Sequence, residues 1–131
     1  MQEVAGGGPG SLSQPIESVE GVTFEGVQPF SVLLTPDENG NVVVGARGEI
    51  DIATADQLWA ALVEALTAWT GQVVVDFAEV TFLDSQGVAT LLRVHKDCDF
   101  DPGRLIVRSP RPQARRVFEQ TGLDSILRID D

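Results

Sequence analysis

Lysine, histidine and cysteine each occur once, as Lys96, His95 and Cys98, and nine basic residues face twenty acidic ones. The formal net charge of −11 disfavours nucleic acid or an anionic membrane as the main partner, because both require a surface rich in Lys and Arg. One cysteine excludes an intramolecular disulfide and a Cys-based zinc site, and fits a reducing cytoplasm. Cys98 is expected to pack as a small hydrophobe. No apolar run approaches membrane-spanning length, and the opening MQEVAGGGPGSLSQPIE has neither a basic start nor an apolar core, so it does not read as a signal peptide. A phosphate-binding G-x-x-x-x-G-K-[ST] loop is also missing.

What is present suits one domain: 131 residues, of which 43% are hydrophobic. Residues 1–27 are rich in Gly, Ser, Pro and Glu, and are expected to form a disordered or weakly ordered arm. Val22-Thr23-Phe24 is the one stretch of it able to add a short edge strand. The folded part is expected over 28–131.

The most informative stretch is 73–98, VVVDFAEVTFLDSQGVATLLRVHKDC. The unbroken run Val73-Val74-Val75 suits a strand buried on both faces. After Val80-Thr81-Phe82-Leu83 the character changes at Asp84-Ser85-Gln86-Gly87, and Val88, Leu91, Leu92 and His95 then fall at helical spacing. Asp84-Ser85 therefore sits where a strand hands over to a helix. Three roles are open to Ser85. It can cap the helix, since a short polar oxygen accepts from the free amides of the first turn. It can accept a phosphate, which the partial positive charge of a helix N-terminus favours. It can act as a nucleophile, but the only candidate base, His95, lies two to three turns down the same helix, too far for a triad.

The remaining chain reads as alternating elements. Phe30–Leu34 and Val42–Val44 flank Asn39-Gly40, a hairpin signal, and the second strand continues through Gly45 and Gly48 to Asp51, its glycines suggesting a bulge or a close backbone approach. Thr54-Ala55-Asp56-Gln57 has capping-box spacing. Leu58, Leu62, Ala65, Leu66 and Trp69 share one face of the helix that follows, with Trp59 and Val63 beside it as core or as a partner-facing patch. Arg104–Arg108 is a short strand. A last helix starts at Ser109 or the prolines that follow, carries Ala114, Val117, Phe118 and Thr121 on one face, and is capped by Gly122. The five arginines of 104–116 read as a solvated face. Alternation of strands and helices after a hairpin predicts an α/β fold, a mixed sheet with crossover helices. Asp51, Asp76 and Asp84 are candidates to meet at one sheet edge. Even so, the chain lacks the adjacent acids and late lysine of a magnesium-dependent receiver, and no metal site is expected.

VTFLDSQGVATLL resembles the core motif of STAS domains, specifically the bacterial anti-sigma factor antagonists. Gly48-Glu49-Ile50-Asp51 upstream, and Ser109-Pro110, Arg115-Arg116-Val117 and Thr121-Gly122-Leu123 downstream, extend the resemblance over about 28–129. The family's D-S-S/A-G pattern reads Asp84-Ser85-Gln86-Gly87 here, a departure at Gln86. The resemblance implies a STAS-like fold and a binding module rather than an enzyme. It implies that Ser85 is phosphorylated by an anti-sigma factor that is itself a serine kinase, and that a phosphatase resets it. Glu49, Asp51, Asp84, Ser85, Gln86, Gly87, Thr90 and Val94 are the implied contact residues. No cofactor is implied, since the kinase brings ATP and magnesium. The other reading within the family is a STAS subunit of a transport or lipid-trafficking complex, without phosphorylation.

Overall fold

The computed structural model describes residues 30–131; the expected arm, Val22-Thr23-Phe24 included, lies outside the described residues. The elements follow in the order β1 (Ser31–Pro36), β2 (Val42–Ile50), α1 (Ala55–Ala68), β3 (Val73–Leu83), α2 (Ser85–Asp97), β4 (Leu105–Arg108), α3 (Pro112–Thr121) and β5 (Arg128–Asp130). The strands form one sheet in chain order, β1 antiparallel to β2 and every later pair parallel. Each parallel step moves one strand in the same direction, so right-handed crossovers put all three helices on one face. A single core results, in which Leu58, Leu62 and Ala65 of α1, Leu91 and Val94 of α2 and Ala114 and Phe118 of α3 meet Val42, Val44, Val73, Val75, Phe77, Leu105 and Val107.

The β1–β2 turn is built as the Asn39-Gly40 signal requires. Gly40 takes φ +86°, and the Asp37 carboxylate accepts from the Asn39 and Asn41 amides at 2.7 and 3.0 Å. Those two backbone bonds hold the Asp37 carboxyl below its usual range.

One-sided coverage corrects the reading of β3. Val73, Val75 and Phe77 are fully buried, but Val74 and Asp76, on the face away from the helices, are only half-buried. Beyond Phe77 the buried positions are Val80 and Leu83, three apart rather than two. The register explains this. Gly45 and Arg47 of β2 stand opposite Asp76 and Glu79, and Gly48 and Glu49 opposite Val80 and Phe82. Each step inserts one extra residue in β3, so two bulges turn the strand back towards the helices. The glycines of β2 do mark irregular pairing, with the added residues on the partner strand. Gly48 itself takes φ +104°.

Two further expectations change. Thr54 makes no side-chain cap bond to α1. Its hydroxyl is committed to the preceding turn, donating to the Glu49 carbonyl at 2.7 Å and accepting from the Asp51 amide at 3.0 Å. The arginine run is only partly a solvated face: Arg111 and Arg116 are exposed, but four of the five arginines are tied to specific partners. Arg104 donates to the Gly71 carbonyl and, at 2.7 Å, to the Leu66 carbonyl, closing the C-terminal end of α1, whose last turn has no basic residue. Arg108 pairs with Asp76 at 2.8 Å, Arg111 donates to the Ala78 carbonyl at 2.9 Å, and Arg115 pairs with Asp131. Pro112 opens α3, and Gly122 closes it at φ +77°.

Candidate functional site

The ends of β2 and β3 form the site. Ile50 and Leu83 are in register, and one residue further on the Asp84 amide donates to the Ile50 carbonyl at 3.2 Å. The loop after β2 and the start of α2 thereby emerge side by side, at the carboxyl edge of two parallel strands. Asp51 opens the loop. Its carboxylate accepts from the Ala53 amide at 2.9 Å and its own amide donates to the Thr54 hydroxyl, so the turn is held by its own side chains. Ile52 stands at its tip, 77% exposed.

Asp84, not Ser85, is the helix cap. Its backbone is extended, and its carboxylate accepts from the Gln86 amide at 2.8 Å. Ser85 is therefore the first helical residue. It is exposed, and its hydroxyl makes no hydrogen bond among the described residues. Ser85 stands in the first turn, at the positive end of the helix dipole, where an added anion is favoured. Gln86 is exposed beside it.

Gly87 is what lets α2 start here. A Cβ at this position would lie 2.1 Å from Leu83 Cδ1 and 3.0 Å from Ile50 Cγ2. The helix thus rests directly on the last residues of both strands, and Gly87 acts in packing rather than in contact. Two more of the expected contact residues turn inward. Val94 is fully buried in the core, and Thr90 is 8% exposed with its hydroxyl donating to the Gln86 carbonyl at 2.9 Å. With α2 covering the sheet through Gly87, Thr90, Leu91, Val94 and His95, no side chain of that stripe reaches a docked protein without local unfolding. The outward stripe is Ser85, Gln86, Ala89, Leu92, Arg93 and Lys96. Leu92 is 38% exposed and leaves the core stripe in which the sequence pattern placed it. Arg93 lies 4.2 Å above the ring of half-buried Trp59, joining the outer faces of α1 and α2.

Glu49, Asp51, Asp84, Ser85 and Gln86 are thus brought together at one accessible edge, and Ile52, Ala89, Leu92 and Arg93 join them. An isoleucine between two acidic or polar turn residues, Asp51-Ile52-Ala53-Thr54, was the signal available for Ile52; Leu92 was masked by its neighbour Leu91.

Among the described residues, no histidine stands beside Ser85 to act as its base. His95 is 2% exposed, packs edge-on to Phe100 with ring centroids 5.3 Å apart, and lies ten residues, about 15 Å by helical rise, from Ser85. Asp76 does not join Asp51 and Asp84. It sits mid-strand opposite Gly45 and Arg108, because β3 runs on through two bulges before reaching the edge. Burial alone raises the Asp76 carboxyl, but the Arg108 hydrogen bond and charge and the Ala78 amide outweigh it and hold it below the usual range. Among the described residues no three His, Cys, Asp or Glu side chains gather as metal ligands. Nor is any helix among them long and apolar enough to cross a membrane.

Comparison with known proteins bears on this arrangement. Residues 34–128 match the family described as "Mlab, STAS domain". The anti-sigma F factor antagonist of Lysinibacillus sphaericus is 30% identical over 83 residues, covering 63% of this chain and 71% of that protein. Among solved structures, an anti-sigma factor antagonist from Mycobacterium paratuberculosis superposes with a TM-score of 0.69 at 29% identity, over 77% of this chain and 85% of that one. The antagonist SpoIIAA in its unphosphorylated form superposes with a TM-score of 0.63 at 26% identity, over 76% and 87%.

Proposed function

The chain belongs to the STAS domain family, and from that premise we propose that it is an anti-sigma factor antagonist whose binding is switched by phosphate on Ser85. The unphosphorylated chain docks on an anti-sigma factor through the Asp51–Ile52 turn and the outer stripe of α2, and so releases a sigma factor. The anti-sigma factor is a serine kinase that transfers phosphate to Ser85, and a phosphatase removes it. The module works in the cytoplasm and itself needs no nucleic acid, membrane or cofactor. The observation that carries this reading is the Ser85 hydroxyl: exposed, without a hydrogen-bond partner among the described residues, and displaced from capping by Asp84.

The energetics of such a switch are modest. A phosphate adds about −1.5 to −2 charges at pH 7. It enters beside Asp84, on a chain already at −11, at the centre of the proposed contact. Burying that charge against a partner is costly unless it is paired. A thousandfold loss of affinity needs only about 4 kcal/mol. The same phosphate is tolerated by the free chain, because it sits at a helix N-terminus.

The partner is recovered by pull-down with the purified chain from its native cell, incubated with the chain and ATP, and the product is read by mass spectrometry. The expected result is one phosphate, on Ser85, absent from Ser85→Ala. An unmodified chain still bound to its partner would instead favour a STAS subunit of a transport or lipid-trafficking complex.

A further inference from the structure

The strand that delivers Ser85 is finished by a side chain instead of a neighbouring strand. β4 pairs with β3 only from Val73 to Asp76, so among the described strands none flanks the rest of that edge of β3. α3 supplies the missing partners. Gln113 Oε1 accepts from the Leu83 amide at 2.9 Å, and Gln113 Nε2 donates to the Leu83 carbonyl at 2.8 Å. Further back along the strand, Arg111 Nε donates to the Ala78 carbonyl at 2.9 Å.

One planar amide thus makes with Leu83 both bonds that a neighbouring strand would make. Leu83 is the residue immediately before Asp84-Ser85. On the opposite edge the next backbone group, the Asp84 amide, is held by Ile50. The turn that presents Ser85 is therefore clamped from both sides, by β2 through Ile50 and by α3 through Gln113. Only a side chain that both donates and accepts in one plane fills the second role. A glutamate would set a carboxylate against the Leu83 carbonyl, and an apolar side chain would leave both groups unpaired at a partly buried position.

We propose that Gln113 is a positioning residue for phosphoryl transfer to Ser85, fixing the Leu83–Asp84 peptide so that the backbone carrying Ser85 is held in one place at the start of α2. This rests on the reading of Ser85 as the phosphoacceptor. It assigns regulation of that site to a residue of α3, outside the contact surface.

Three variants of the full chain test it: Gln113→Met, which removes both bonds at similar size; Gln113→Glu, which keeps only the acceptor; and Phe118→Leu, which weakens the α3 core without touching Leu83. Amide exchange by NMR and the initial rate of phosphate incorporation, with the recovered anti-sigma kinase and ATP, are measured on each. Gln113→Met is expected to speed Leu83 amide exchange about tenfold or more, to leave the Val75 amide unchanged and to slow phosphate incorporation about tenfold. Gln113→Glu is expected to slow incorporation while retaining part of the Leu83 protection. Phe118→Leu is expected to lower the melting temperature with the phosphorylation rate kept. Wild-type rates for both Gln113 variants, or rates that follow melting temperature across all three, would overturn the proposal. A wild-type chain that takes no phosphate would instead overturn the Ser85 reading, and this proposal with it.

Discussion

At the scale of single residues, neighbours divide the work at the start of α2. Asp84 caps and Ser85 has no hydrogen-bond partner among the described residues, so the two respond differently to truncation. Asp84→Ala is expected to cost about 1 kcal/mol, whereas Ser85→Ala stays within about 0.5 kcal/mol of wild type; urea titration of both measures the difference. Equal losses would return the cap to Ser85. The sequence pattern D-S-x-G located this turn but did not say which oxygen caps, because both residue types suit the position. Asp76 carries a second residue-scale consequence. Its carboxyl titrates below the ordinary 3.8 in the fold because Arg108 and the Ala78 amide favour the charged form. The folded chain then binds that proton less tightly than the unfolded one. The resulting stability is present above pH 3.8 and is lost as pH falls through the lower, folded value. Denaturant midpoints collected from pH 6 downward are expected to fall less steeply for Asp76→Asn than for wild type. Parallel curves would remove the Arg108 pair from the acid response. Cys98, by contrast, is a poor reagent: burial raises its thiol, Arg104 opposes this, and Asp97, Asp101 and Asp99 raise it further.

At the scale of elements, what periodicity can express was legible and what depends on long-range bonds was not. Strand and helix alternation, the Asn39-Gly40 turn, the Pro112 start and the Gly122 stop of α3 all follow from local residue chemistry. The two bulges of β3 do not, because they are set by register against β2, and they alone bring Val80 and Leu83 to the core. The roles of Arg104, Arg111 and Gln113 were equally hidden, since their acceptors are backbone carbonyls thirty or more positions away in the chain. Adjacent leucines posed the converse problem: helical spacing admits both Leu91 and Leu92, and only packing separates them. Leu91→Ala is expected to cost about 2–5 kcal/mol. Leu92→Ala should be within about 0.5 kcal/mol in stability, yet weaken partner binding. Chemical denaturation of the pair checks the rotation of α2, and reversed costs would show the helix turned. Gly87→Ala tests the junction of α2 with the strands. The added methyl meets Leu83 and Ile50, so a loss of about 1–3 kcal/mol is expected. A neutral result would mean that α2 lifts freely from the strand ends.

At the scale of the whole molecule, a one-sided layer of helices leaves the ends of β2 and β3 and the outer stripe of α2 accessible. Right-handed crossovers in strict strand order bury α2 along one stripe and expose the other, and the exposed stripe begins at Ser85. The excess of acid disfavours a polyanionic partner, and in the proposed contact it would make one more negative charge effective, because the first basic residue after Ser85 on the outer face of α2 is Arg93. Sequence alone pointed to the Asp84-Ser85 turn but placed Gly87, Thr90 and Val94 on the outer surface, where they are buried, and did not anticipate the exposure of Ile52 and Leu92, since exposure is a property of packing. The central claim is that charge at Ser85, rather than loss of the fold, turns binding off. Calorimetric titration of wild type, Ser85→Ala, Ser85→Asp and Ser85→Glu against the recovered anti-sigma factor tests it directly. The account predicts that wild type and Ser85→Ala bind alike, and that Ser85→Asp and Ser85→Glu bind more weakly, though less so than the phosphorylated chain, which carries more charge and more acceptor oxygens. Equal affinities for all four, with folds intact, would contradict it.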